Sequence, residues 1–274
     1  VLYRATEALE RIPSFRRREL LDKLHIHSAE LARWDEISRK LRVAFHVAVI
    51  ISQFDGYGDL EEFDWIGYVE RYGDIQRLDR ILEAEGDSTN RYKLSKQADV
   101  LMLFYLLSTD ELQSIFNRLG YEIDGDTIQR TIDYYDQRTS HGSTLSRIVN
   151  AWVLARSDRA RSWEFFKEAL LSDVTDIQGG TTPEGIHLGA MAGTVDLVQR
   201  GFTGIETRED TLWLDPAIPE ELGELRFEIF YRGQLLAFHL TPDQLTVSTG
   251  PGDAPPIRVG IRDRVIEVPT GMTK

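Results

Sequence analysis

Three short clusters of polar and small residues interrupt stretches where the surrounding pattern calls for apolar or featureless ones. The first is Lys96-Gln97-Ala98-Asp99, directly ahead of the most hydrophobic run of the chain. An ammonium and an amide turned into a cavity could hydrogen-bond sugar hydroxyls. The structural alternative is that Lys96 and Asp99 merely open a helix, with the acid near its positive end. The second runs from Arg138 to Ser146 (RTSHGSTLS). Free N–H groups at a helix start, two hydroxyls and His141 make an anion site, and Gly142 lets the backbone come close to the anion. A cap by Ser143 or Thr144 is the alternative there. The third runs from Gln178 to His187 (QGGTTPEGIH). Pro183 suits a first helical turn and Thr182 its cap, Gly179 and Gly180 could bend the chain round a ligand, and Glu184 and His187 would share one helix face. A Glu-x-x-His pair supplies too few ligands for a closed metal site, so neither metal nor an organic cofactor is implied.

Weaker signals surround these. His25 and His27 would diverge on a helix and read as surface residues, whereas His46 and His239 lie in apolar stretches and read as core histidines. Asp55, in Phe54-Asp55-Gly56-Tyr57-Gly58, could touch a ligand, although a turn explains it as well. The five tryptophans, Trp34, Trp65, Trp152, Trp163 and Trp213, could include a sugar-stacking platform or could all be packing residues. Nucleotide loops, zinc-protease motifs and serine-hydrolase elbows have no match.

These residues must be positioned by two kinds of element. Up to about residue 205 the apolar spacing is helical: an opening helix from Leu2 to Ile12, a second after Pro13 with Ser14 as its cap, and a third from Ser28 carrying Leu31, Trp34, Ile37 and Leu41. Val43 to Ile51 fits either a short strand or a buried helix. Helices are expected over Asp74–Leu82, over Lys96–Leu107 as an inner helix, and over Asp110–Leu119 with an acidic cap and a stop at Gly120. Further ones are expected over Asp126–Gln137, Leu145–Ala155, Ser162–Leu171 and Glu184–Arg200. Near Thr207 the period changes to two. Leu225, Phe227, Ile229 and Tyr231 are answered across Arg232-Gly233 by Leu236, Phe238 and Leu240, and further short strands run to Val268. The chain is therefore expected to be mainly α, with residues 1–206 helical and residues 207–274 forming a small antiparallel, sandwich-like β domain.

Composition narrows the field. The 274 residues carry 32 basic and 45 acidic side chains, a net charge of −13, which argues against a nucleic-acid partner. The absence of cysteine removes disulfides, zinc–thiolate sites and a thiol nucleophile, and fits a reducing, cytoplasmic setting. The longest apolar run, Val100–Leu107, is far shorter than the roughly 20 residues that cross a bilayer, so no membrane partner is expected. The N-terminus has neither the basic start nor the apolar stretch of a secretory signal. It lacks an initiator Met and opens inside a helical pattern, which leads us to expect a chain that starts within a longer protein.

Taken in order, the clusters resemble the C-terminal part of glycoside hydrolase family 65, the inverting α-glucoside phosphorylases (maltose, trehalose, kojibiose and relatives) and acid trehalases. The matching stretches are Gln53-Phe54-Asp55-Gly56, Lys96-Gln97-Ala98-Asp99-Val100, Tyr134-Tyr135 leading into His141-Gly142-Ser143-Thr144-Leu145-Ser146, and Glu184-Gly185-Ile186-His187. The last continues through Met191-Ala192-Gly193 to Gly201-Phe202, and Tyr231-Arg232-Gly233 extends the likeness into the sheet. Nearly the whole chain is covered.

The resemblance implies the second half of an (α/α)6 toroid followed by the small C-terminal sheet domain. It implies that Lys96 and Gln97 bind the transferred glucosyl unit, and that His141, Gly142, Ser143 and Thr144 form the loop receiving inorganic phosphate, a co-substrate rather than a cofactor. Asp136, Arg138, Gly180 and Glu184 are possible site-lining residues. The family's general acid is a Glu upstream of everything present, so no catalytic acid is assigned in this numbering. The implied partners are a disaccharide, phosphate, the N-terminal half of the same enzyme and, as in relatives, a second copy in a homodimer. Two other functions stay open: an inverting hydrolase of the α,α-trehalose type, with Asp136 or Glu184 as base, and an inactive fragment or carbohydrate-binding portion with exposed apolar faces.

Overall fold

The computed structural model describes residues 1–47, 49–155, 157–176, 183, 185–262 and 264–274. The helices are α1 (Leu2–Arg11), α2 (Ser14–Leu24), α3 (Ser28–Lys40), α4 (Trp65–Tyr72), α5 (Leu78–Ala84), α6 (Leu101–Leu106), α7 (Thr109–Leu119), α8 (Gly125–Asp136), α9 (Thr144–Leu154), α10 (Arg159–Leu171) and α11 (Leu188–Asp196). The strands are β1 (Phe45–His46), β2 (Ile50–Ile51), β3 (Glu206–Arg208), β4 (Thr211–Leu214), β5 (Leu225–Tyr231), β6 (Gln234–Leu240), β7 (Leu245–Thr249), β8 (Ile257–Ile261) and β9 (Arg264–Val268). Contacts divide the chain into one unit of residues 1–63, 90–93 and 98–138, and another of 64–89, 94–97 and 139–274.

In the first unit the helix ends are written locally. Ser108 accepts from the Glu111 N–H while Glu111 accepts from the Ser108 N–H, and α7 stops at Gly120 with φ 82°. Asp124 caps α8 through the Thr127 N–H. The Tyr135 hydroxyl on α8 donates to the Ile51 carbonyl at 2.8 Å and accepts from the Gln53 N–H at 3.1 Å. The stretch Val43–Ile51 contributes two short antiparallel strands, β1 and β2. Ser14 is the first residue of α2 and makes no cap; Pro13 occupies the capping position.

Three expected helices are shorter because backbone groups are taken elsewhere. The Lys96–Leu107 helix is reduced to α6, with Lys96 and Gln97 in a loop; the Ser95 carbonyl is held by the Ser140 N–H at 2.8 Å. Nor is α6 an inner helix: Leu101 is buried, but Leu106 is 61% exposed. Likewise α5 starts at Leu78 rather than Asp74, whose carboxylate takes the Gln76 N–H in a turn. The expected Glu184–Arg200 helix begins at Leu188, since the His187 N–H donates to Asp173 Oδ2, and it passes into a π-type turn over Leu197–Phe202. Among the described residues no helix is long and apolar enough to cross a membrane.

In the second unit α9 packs on α10, and Ser162 donates to the Ala151 carbonyl at 2.6 Å between them. Ala151, Ala155, Phe166, Leu197 and Phe202 form the buried centre there. The C-terminal strands make two sheets, β3-β4-β8-β9 and β5-β6-β7. Leu212, Leu214, Val259 and Val268 from the first face Leu236, Phe238, Leu240 and Val247 from the second in one apolar core. The expected all-antiparallel arrangement needs one correction: β4 and β8 are parallel. Their pairing sets Trp213 opposite Gly260, and the indole lies over the glycine; a Cβ there would fall 2.4 Å from the Trp213 ring.

That contact generates a stability test. Gly260→Ala must displace the indole, so we expect a loss of about 2 kcal/mol, the usual scale for overpacking a full site. Urea unfolding should show a lower midpoint at unchanged slope. A midpoint equal to that of the parent chain would show that Trp213 does not need the bare glycine.

Candidate functional site

Two loops of the second unit, residues 94–97 and 139–143, run side by side. The Ser140 N–H donates to the Ser95 carbonyl, and the Ser143 hydroxyl donates to Gln97 Oε1 at 3.3 Å. Lys96 and Gln97 are thereby placed beside His141, Gly142, Ser143 and Thr144. Ser143 occupies the position before α9 but makes no side-chain cap bond, and Thr144 is the first helical residue. The cap alternative therefore does not describe Ser143. Gly142 has no room for a side chain: a Cβ would fall 2.3 Å from the Gln76 carbonyl oxygen and 3.1 Å from Lys96 Cγ. Lys96 remains exposed, its Nζ 3.9 Å from Asp79 Oδ2.

The loop is held from beneath by Arg147 on α9, which is 2% exposed. Its Nη1 donates to the His141 carbonyl at 3.1 Å, its Nη2 to Gln76 Oε1 at 2.8 Å, and its Nε to Glu168 Oε2 on α10 at 2.9 Å. His141 itself adopts φ 53°, a left-handed conformation that costs a residue with a side chain about 1 kcal/mol or more.

The His141 ring packs against Phe165 and its Nδ1 lies 3.1 Å from Ser146 Oγ. The Asn150 amide donates to the Ser146 carbonyl at 2.8 Å and lies 3.5 Å from Ser146 Oγ. Burial, helped by the guanidinium charges of Arg147 and Arg161, pushes the imidazole down to about 4. At neutral pH the ring is an uncharged donor.

Beside this loop the second unit has a cleft of about 590 Å³ lined by Trp65, Asp74, Ile75, Gln76, Thr139 and Ser140. Of the five tryptophans, Trp65 is the one placed along that wall. Asp136 is buried at the end of α8 in the first unit. Arg138 in the same unit lies 3.9 Å over the Tyr134 ring and donates to Glu62. Gly180 and Glu184 lie outside the described residues. His187 pairs with Asp173 through Nδ1 at 2.5 Å. Of the histidines read as core, His46 is half-buried against Tyr57 and Tyr134, whereas His239 sits at the surface facing Glu224. Asp55 pairs with Arg42 in the open. Among the described residues no three His, Asp or Glu side chains gather as metal ligands.

The sequence reading missed Arg147, Gln76 and Glu168. A charge set among Ile148, Val149, Ala151 and Val153 is the one signal that could have flagged Arg147; Gln76 offers none, because its role comes from a contact 71 residues away.

Comparison with known proteins gives a consistent result. The model of the glycosyl hydrolase family 65 central catalytic domain matches residues 1–196, and that of the family's C-terminal domain matches residues 205–268. An uncharacterised glycosyl hydrolase of Mycobacterium tuberculosis is 52% identical over 100% of this chain and 20% of its own length. A trehalose 6-phosphate phosphorylase of Lactococcus lactis is 36% identical over 80% of this chain and 28% of its own, and a kojibiose phosphorylase of Thermoanaerobacter brockii is 29% identical over 82% and 27%. The chain thus spans about a fifth to a quarter of the length of the curated relatives it matches. A solved structure provisionally named a kojibiose phosphorylase, from the human microbiome, superposes with a TM-score of 0.69 at 21% identity, over 93% of this chain and 32% of that one.

The His141 environment predicts a pH response. An unfolded imidazole titrates near 6.5 and the folded one near 4, so between those values the unfolded chain binds the extra proton. This contribution to stability is intact above pH 6.5 and is lost as the pH falls toward 4, by roughly 3 kcal/mol. His141→Asn, which tolerates the left-handed backbone, should flatten that part of the unfolding profile. An NMR midpoint for the His141 ring above pH 6 would contradict the buried, neutral assignment.

Proposed function

The chain belongs to glycosyl hydrolase family 65, and we propose that it supplies the phosphate-receiving wall and part of the glucosyl-binding wall of an inverting α-glucoside phosphorylase. One observation carries this reading: Lys96 and Gln97 stand against the His141–Thr144 loop, with Gly142 bare at the join. In this reading residues 1–206 are the C-terminal part of an (α/α)6 catalytic domain, residues 207–274 its C-terminal β domain, and the general acid is a Glu borne by a segment outside this chain.

The chemistry follows from the residues. Lys96 and Gln97 grip hydroxyls of the glucosyl unit and fix its C1. Phosphate settles on the backbone N–H groups after Gly142, the Ser143 and Thr144 hydroxyls and the His141 imidazole. The carboxylic acid protonates the glycosidic oxygen as it leaves, and a phosphate oxygen attacks C1 from the opposite face, giving β-glucose 1-phosphate and the free sugar. Phosphate is already an anion, so the step needs a cradle and no protein base, unlike inverting hydrolysis, in which a second carboxylate activates water. A neutral His141 suits this role, since it donates a hydrogen bond without holding the product phosphate by charge. No cofactor enters the scheme. The names of the relatives from Lactococcus and Thermoanaerobacter support phosphorolysis over hydrolysis and direct the choice of donors toward trehalose 6-phosphate and kojibiose.

The test is a phosphate-dependence assay on the complete enzyme with trehalose, trehalose 6-phosphate, kojibiose and maltose. Cleavage of one of these should need phosphate and yield β-glucose 1-phosphate. Gly142→Ala, which forces the loop off Gln76, should raise the KM for phosphate by about tenfold or more while leaving the KM for the disaccharide near its original value. Undiminished cleavage in phosphate-free buffer would overturn the phosphorylase reading.

A further inference from the structure

We propose that Arg147 is the positioning residue of the phosphate loop, fixing the His141 main chain in its left-handed conformation and so setting the affinity for phosphate. The inference rests on the phosphorylase reading and deepens it, because Arg147 lies underneath the loop and acts on phosphate through other residues.

The geometry separates position from charge. Arg147 reaches three segments at once, the loop at His141, the turn at Gln76 and helix α10 at Glu168. Glu168 balances its charge directly at 2.9 Å, and its other two acceptors are neutral oxygens. Besides the charge that helps keep His141 neutral, what the guanidinium gives the site is shape. The same two anchor points bracket Gly142: the His141 carbonyl on one side, and on the other Gln76, whose own carbonyl oxygen lies where a Gly142 Cβ would be. Gln76 O also receives the Ser140 hydroxyl at 3.4 Å. Removing the fork would free His141 to leave a conformation that a side chain otherwise avoids. The segment that carries the Ser143 and Thr144 N–H groups would then shift.

A planar fork with fixed spacing performs this task and a point charge does not. Arg147→Lys can keep the pair with Glu168 and hence the fold, but it cannot reach the His141 carbonyl and Gln76 together. Arg147→Ala leaves a space that fits guanidinium ion.

The experiment measures binding of inorganic phosphate to the 274-residue chain by 31P line broadening, and the KM values for phosphate and disaccharide in the complete enzyme, for the parent and both variants. We expect Arg147→Lys to weaken phosphate about tenfold or more, with the disaccharide KM changed less than about twofold, and added guanidinium to restore most of the loss in Arg147→Ala. Folding is followed by circular dichroism; where the alanine variant does not fold, the lysine variant decides. Parental phosphate affinity in a folded Arg147→Lys chain would overturn the positioning role while leaving the phosphorylase reading intact. Equal losses for phosphate and disaccharide would mark a purely structural residue and also overturn it. A parent enzyme that neither binds phosphate nor needs it would remove the functional reading itself.

Discussion

A guanidinium cannot be buried in a protein without its donors being met, and in the second unit this condition governs the candidate site. Arg147 enters the interior from α9 and is answered by a carboxylate on α10, a loop carbonyl and a side-chain amide from a distant turn. Breaking such a buried arrangement by removing one partner costs about 3–5 kcal/mol. That is more than the one-residue strain it holds in place at His141. The left-handed kink at His141 and the turn at Gln76 that crowds Gly142 are both tied to one buried charge that has to stay satisfied.

The same burial decides how the site would treat an anion. His141 is kept uncharged by burial and by its guanidinium neighbours, and Lys96 is the exposed cation of the cluster. An anion arriving there meets oriented dipoles and hydroxyls, with one exposed positive charge at the margin. Groups held rigid before a ligand arrives need little reorganisation when it does.

What could be read from the sequence follows how locally each feature is encoded. The Gly120 stop is complete within a few residues, and α7 and α8 fall within a residue of their expected bounds, although α7 is capped by Ser108 and not by the acidic residue expected there. The β5–β6 hairpin was equally plain, because alternation and the Arg232-Gly233 turn agree. Lys96 to Asp99 misled because they lead straight into the apolar run from Val100, yet the Ser95 carbonyl is claimed by Ser140 from far along the chain. The parallel β4–β8 pair and the partners of Arg147 lay beyond any periodicity for the same reason. For the site, the ordered motifs brought Lys96, Gln97 and the His141–Thr144 loop to notice; the residues that hold them together carried no local mark, apart from a charge in an apolar helix.

The parallel pairing of β4 with β8 also has a meaning for synthesis. As the polypeptide emerges, β5, β6 and β7 find one another as immediate neighbours and can close their sheet at once. Strand β4 has been made earlier, with β3 on one side and a vacant edge on the other, and that edge waits until residue 257 has left the ribosome. For that interval one layer of the apolar core lacks its central pair, and the chain carries an unpaired strand of the kind that recruits other molecules. Residues 264–274 then add to the closure twice over, with β9 zipping along β8 and Lys274 exchanging main-chain bonds with Val247. Synthesis halted before residue 257 would leave β4 without its β8 partner and that sheet open.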